Sequence, residues 1–120
     1  MKTLISVCFF LLFSTAVYVS MPVEEEVCGS GICVVEFNAA FNSQNSVEWI
    51  DKLNDCEVAR VDILASPDMQ KEHKIVVVPT IIVFNDGEET ERFQANIMMA
   101  MDATKKDVQS VVDEILMSSF

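Results

Sequence analysis

Leu4 to Phe13 is an almost unbroken apolar run, whereas beyond Glu26 the apolar residues come in short blocks separated by polar punctuation. Ile32-Cys33-Val34-Val35-Glu36-Phe37 is short and rich in β-branched residues, which suits a strand buried on both faces. After a stretch of Asn and Ser, Val47, Ile50 and Leu53 recur at helical spacing with Trp49 beside them, predicting a helix. Val58 to Ile63 predicts a second strand. Ser66-Pro67-Asp68 is a helix start, with Ser as cap, Pro at the first helical position and an acid in the first turn. That helix must be short, because Ile75 to Val78 turns apolar and β-branched before Pro79. Thr80 to Phe84 predicts a third strand, and the tight-turn residues Asn85-Asp86-Gly87 lead into a fourth over Glu88–Phe93. Last, Thr104 and Asp107 make a box-like cap ahead of Val108, Val111, Val112, Ile115 and Leu116, spaced i, i+3, i+4, i+7, i+8.

The predicted order is therefore β-α-β-α-β-β-α. A helical crossover between the first two strands demands that they pair in parallel, while the hairpin is antiparallel. The expected architecture is an α/β fold with about four strands in a mixed sheet and helices on both faces. Val35, Phe37, Val61, Ile63, Ile81 and Val83 should be central, with Val108, Val112 and Ile115 packed on one face.

The leading apolar run changes how much of the chain belongs to that fold. Lys2 supplies a positive start, and Ser14 and Ala16 give the small-residue pattern a signal peptidase reads. Ser20 offers a second cut, although Tyr18 then sits where a bulky ring fits poorly. The run is short for a membrane crossing, which needs about 20 residues. Residues 1–20 read as a secretory signal, with an uncleaved anchor as the alternative. Residues 21–31 form an acidic lead-in containing Glu24-Glu25-Glu26, and residues 32–120 the folded domain. Secretion, or delivery to the secretory-pathway lumen, is the expected fate.

The chain of 120 residues carries a formal charge of −11. Removing Lys2 with the signal leaves seven basic against nineteen acidic side chains, or −12. Without a basic patch to track phosphates, nucleic acid is excluded as a partner, and an anionic membrane surface is disfavoured once the signal is cut. Cys8 lies in the signal, so the mature chain keeps Cys28, Cys33 and Cys56, which permits at most one internal bridge.

From about Cys33 to Met117 the chain resembles thioredoxin. Val35-Glu36-Phe37-Asn38-Ala39-Ala40-Phe41 is similar to the family's strand leading into its active-site loop. Val78-Pro79-Thr80 is similar to the cis-proline motif, and Asn85-Asp86-Gly87-Glu88 to the hairpin turn. The resemblance implies a thioredoxin-like fold, a buried ion pair between Glu36 and Arg60, and a cis-Pro79 that presents backbone to an extended peptide.

The departures decide the expected function. Asn42-Ser43-Gln44-Asn45 stands where the family carries its two cysteines around Gly-Pro. Thiol exchange needs a low-pKa thiolate at a helix start and a second thiol to resolve the mixed disulfide; an amide does neither. Asn42 is instead expected to cap the helix. Once the expected signal is removed, only about 12 residues precede Cys33, so the family's first strand and helix are expected to be missing. Gln94 to Met101 is longer than the family's loop and holds Met98, Met99 and Met101, which either line a groove adaptably or cap the core. Three thioethers allow a soft Cu(I) site, but no paired thiols accompany them, and neither a metal nor a cofactor is expected.

Cys28 and Cys33 flank Gly29-Ser30-Gly31-Ile32, a gap that suits a structural bridge better than a redox pair. Strand parity carried from the family places Cys33 and Cys56 on opposite faces, leaving Cys56 free. His73 is expected to be solvated. The first functional expectation is a redox-inactive, secreted peptide- or protein-binding module whose groove is lined by Asn42 to Asn45, Val78, Pro79, Met98, Met99 and Met101. The alternatives are an oxidoreductase using a displaced Cys28/Cys33 pair, and a surface protein that uses only the scaffold.

Overall fold

The computed structural model describes residues 28–120; the expected signal and most of the acidic lead-in lie outside the described residues. The strands are β1 (Ile32–Asn38), β2 (Glu57–Asp62), β3 (Thr80–Asn85) and β4 (Glu88–Gln94). The helices are α1 (Pro67–Glu72) and α2 (Lys105–Ser118), with 3-10 segments over Ala40–Asn45 and Glu48–Lys52. The sheet has the order β2-β1-β3-β4. β1 and β2 run parallel, as the crossover required, while β1–β3 and β3–β4 are antiparallel.

Alternating side chains on β1 and β3 feed two cores. Cys33, Val35, Phe37, Ile82 and Phe84 face one way and pack with Ile63, Ile75 and Val78. Val34, Ile81 and Val83 face the other way, under Val47, Ile50 and Leu53 and under Val108, Val112 and Ile115 of α2. Of the residues expected to be central, Val61 alone is only half-buried. It lies on β2, which is an edge strand among the described residues. Glu57, Arg60 and Asp62 are exposed along that edge, a common device against edge-to-edge pairing.

The ends of α2 and of the hairpin follow their sequence signals. Thr104 Oγ1 accepts from the Asp107 N–H, and Asp107 returns the bond to the Thr104 N–H, completing the capping box. Asp86 and Gly87 take positive φ of 52° and 87°, as a two-residue hairpin turn of this hand requires.

The helix expected across Val47, Ile50 and Leu53 does not form as one α-helix. Ser46 and Val47 are extended, and the chain closes only i→i+3 bonds, Ile50 N–H to Val47 C=O at 3.4 Å and Leu53 N–H to Ile50 C=O at 3.3 Å. The cause is tertiary. Val47 gives its N–H to Glu36 Oε2, and its carbonyl accepts from Arg60 as well as from the Ile50 N–H, so its extended backbone is tied to β1 and β2 where the turn begins. α1 is short, as predicted, and has Pro67 in its first turn, but the Ser66 side chain makes no capping bond. His73 is not solvated: it is half-buried, with its ring 5.4 Å from those of both Phe37 and Phe84.

Candidate functional site

β1 delivers the chain into the Asn42–Asn45 segment, and the expected cap is not there. Asn42 lies inside the first 3-10 segment with φ −116° and ψ 24°, and its side chain is buried. Its Nδ2 donates to Asn38 Oδ1 at 3.2 Å and to the Met99 carbonyl at 3.1 Å, and its Oδ1 accepts from Asn45 Nδ2 at 3.0 Å. Asn45 Nδ2 also donates to the Met99 carbonyl, at 3.0 Å. Asn38 closes the network by donating to the Asn42 carbonyl and to Ser46 Oγ. Asn42 and Asn45 thus bring two amides onto one carbonyl.

That carbonyl belongs to a loop organised by Asn96, a residue the sequence reading passed over. Asn96 Oδ1 accepts from the N–H groups of Met98 and Ala100 at 2.8 and 3.2 Å, while its Nδ2 donates to Asp102 at 3.0 Å. Met99 takes a left-handed φ of 60°. A polar turn residue just ahead of Ile97-Met98-Met99 was the available signal, since Asn side chains bond their own backbone a few residues on.

Beside this loop the Val78–Pro79 peptide bond is cis. Pro79 C=O accepts from Ala95 N–H at 3.1 Å, and Thr80 Oγ1 donates to Val77 C=O at 2.7 Å. Among the described residues, neither the N–H nor the C=O of Val78 has a hydrogen-bond partner. A cleft of about 290 Å³ opens here, lined by Phe41, Val76, Val78, Ile97 and Met99 among others. Its rim is apolar and exposed: Phe41 is 63%, Val76 77% and Ile97 97% accessible, while Met98, 74% accessible, is not part of the lining.

The expected groove residues therefore separate. Val78 and Met99 line the cleft, whereas Pro79 and Asn42 are buried and not part of its lining. Asn45 and Met101 border a different depression with Gln44 and Trp49, and Met101 is half-buried against the α2 core. Met98, Met99 and Met101 thus do not present one common face. Phe41, Val76 and Ile97 take the places that Asn42 to Asn45 and Met101 were expected to fill.

Glu36 sits at the floor of a neighbouring cleft of about 250 Å³, between Asn38, Ser43, Ser46 and Arg60. It is 1% exposed and bonded to Arg60 Nη1 and to the Val47 N–H. Burial raises its pKa above the ordinary carboxylate value, against the opposing pull of the Val47 N–H and of Arg60. The pair is not wholly buried, as the resemblance implied. The Arg60 side chain is 38% exposed and also reaches Asp51 at 3.0 Å. Burial pulls Arg60 down, but its bond to Asp51 and the charge of Glu36 outweigh this and hold it fully protonated.

Cys28 and Cys33 are joined in a disulfide, with Cα atoms 6.1 Å apart. Cys33 is wholly buried in the core facing α1, and Cys56 packs on the α2 side, so the two lie on opposite faces as parity implied. Cys56 is a free thiol whose pKa is raised by burial and by the neighbouring Asp55. Among the described residues no three His, Cys, Asp or Glu side chains gather as a metal site.

No protein-family model and no curated protein matches the chain. Solved structures do. A point-mutant thioredoxin from Halobacterium salinarum superposes with a TM-score of 0.58 at 18% identity, over 71% of this chain and 74% of its own. Fasciola hepatica thioredoxin gives 0.53 at 18%, over 71% and 81%. Thioredoxin-2 of the malaria parasite, a component of that organism's protein secretion machinery, gives 0.58 at 16%, over 78% and 88%. This chain has a thioredoxin-like fold.

Proposed function

We propose that the protein is a redox-inactive, secreted thioredoxin-like module that binds an extended segment of a partner protein. The observation that carries this reading is the unpaired Val78 N–H and C=O beside an exposed apolar cleft. Two free backbone groups next to apolar pockets offer what strand addition uses: main-chain hydrogen bonds for affinity and side-chain pockets for selection. An exposed apolar rim of this kind on a small domain is itself a mark of an interaction site.

Redox inactivity is supported by Asn42 and Asn45, which replace both thiols and have their amides engaged with Met99. The displaced-pair alternative draws on the Cys28–Cys33 disulfide. Its weakness is that Cys33 is wholly buried in the core, where an attacking thiolate has no access and no stabilising helix start. Binding of fluorescein-labelled extended apolar peptides tests the module. Wild type should bind, and V76D/I97D should bind at least about tenfold more weakly with its circular dichroism unchanged. An insulin-reduction assay tests the alternative: turnover by wild type that C28S abolishes would establish the oxidoreductase instead.

A further inference from the structure

The apolar cleft does not end at Val76. Gln70, Ile75 and Val76 line both it and an adjoining depression of about 550 Å³ bordered by Pro67, Asp68, Lys71 and Lys74. The two together form one trough, apolar at the Ile97–Met99 end and carrying two lysines at the other. Lys71 and Lys74 form no ion pair among the described residues. The same holds for Lys52, Lys105 and Lys106, so it is their place in the trough that sets Lys71 and Lys74 apart.

Lys74 is also held in place by other residues. It follows α1 with a left-handed φ of 53°, a position glycine usually fills. The turn is pinned from β4 by Arg92, which donates to the carbonyls of His73 at 2.7 Å and Lys74 at 3.1 Å. Arg92 is in turn gripped by both carboxylate oxygens of Glu89, at 2.9 and 2.8 Å. The one carboxylate in the lining, Asp68, stands in the first turn of α1, where it has its own reason to be.

We propose that the trough selects an extended peptide in which apolar residues are followed or preceded by acidic ones, the acidic part lying along Lys71 and Lys74. This rests on the peptide-binding reading and narrows it to a partner chemistry. The chain's overall negative charge does not forbid it. At physiological salt, charges beyond roughly 8 Å are largely screened, so a docked carboxylate meets chiefly the charges that line the depression, Lys71 and Lys74 against the single carboxylate of Asp68.

The test uses three labelled peptides with one shared apolar core, flanked by a run of Glu, a run of Lys, or Ser and Gly. Fluorescence anisotropy should rank the Glu-flanked peptide tightest, by about tenfold over the Lys-flanked one at low salt, and added NaCl should narrow the gap. K71Q/K74Q should erase the ranking while leaving affinity for the Ser/Gly peptide unchanged. The control K105Q/K106Q, whose residues lie outside the trough, should leave the ranking intact. Equal binding of all three peptides would overturn the acidic selectivity and leave the groove standing. Binding of none would overturn both.

Discussion

Asn45 Nδ2 lies 3.0 Å from Asn42 Oδ1 and also donates to the Met99 carbonyl that Asn42 itself engages. The two amides form a clasp between the end of β1 and the Met98–Met99 loop. The clasp holds the wall of the apolar cleft without offering a reactive group.

Breaking the clasp should cost stability unequally. Asn42→Ala removes a buried side chain with partners on both its atoms and leaves Asn38 Oδ1 unpaired, so about 1–3 kcal/mol should be lost. Asn45→Ala, at a half-buried position, should cost about 1 kcal/mol or less. Because both amides share one acceptor, the double variant should deviate from additivity. Urea denaturation of the two singles and the double measures all three quantities, and strict additivity would show that the amides act independently.

Wild type should show no dithiol-dependent insulin reduction. N42C/N45C should acquire measurable turnover, since the buried carboxyl of Glu36 remains in place beside the loop. The gain should be small. Asn42 is buried within a 3-10 segment, so a cysteine there has neither open access nor the N-terminus of a full α-helix to depress its pKa. Turnover equal to that of an ordinary thioredoxin would contradict the geometry.

The raised pKa of Glu36 has a definite sign in stability. A carboxyl whose folded pKa lies above its unfolded one favours the fold while protonated, and that contribution is lost as pH rises from the unfolded value through the folded one. Glu36→Gln cannot titrate and lacks this component. The advantage of wild type over the variant should therefore be greatest near pH 4 and shrink toward neutrality. Urea midpoints of both proteins across that range read the difference, because every other carboxylate contributes to both. An advantage that grows with pH would mean that Arg60 outweighs burial.

Peptide mapping of the unreduced mature protein should recover Cys28 linked to Cys33 and one modifiable thiol, Cys56. Alkylation of Cys56 in the native state should be slow at neutral pH, because burial and Asp55 disfavour its thiolate, and should become fast in urea. C28S/C33S should lose on the order of 2 kcal/mol, the modest figure expected of a short loop. A Cys33–Cys56 linkage would contradict the opposite-face placement.

The order of elements along the chain, the Asp86-Gly87 turn and the α2 capping box were legible in the sequence because each rests on local chemistry. The parallel pairing of β1 and β2 followed from the crossover between them; that β1 sits between β2 and β3 was seen only in the fold. β-branched runs, turn residues that tolerate positive φ, and a Thr/Asp box act within a few residues of one another. The segment from Ala39 to Leu53 was not legible for the opposite reason. Its apolar spacing says helix, but Glu36 and Arg60, on neighbouring strands, tether the extended backbone of Val47, and the chain beyond it closes only 3-10 turns. The same holds at the site. The resemblance implied that Asn42 and Asn45 stand where thiols are expected, whereas only the folded chain brings Met99, some fifty residues later, onto both amides. Likewise the trough joins Phe41, Val76 and Ile97 from three separate segments, a meeting that no sequence period records because long-range packing alone produces it.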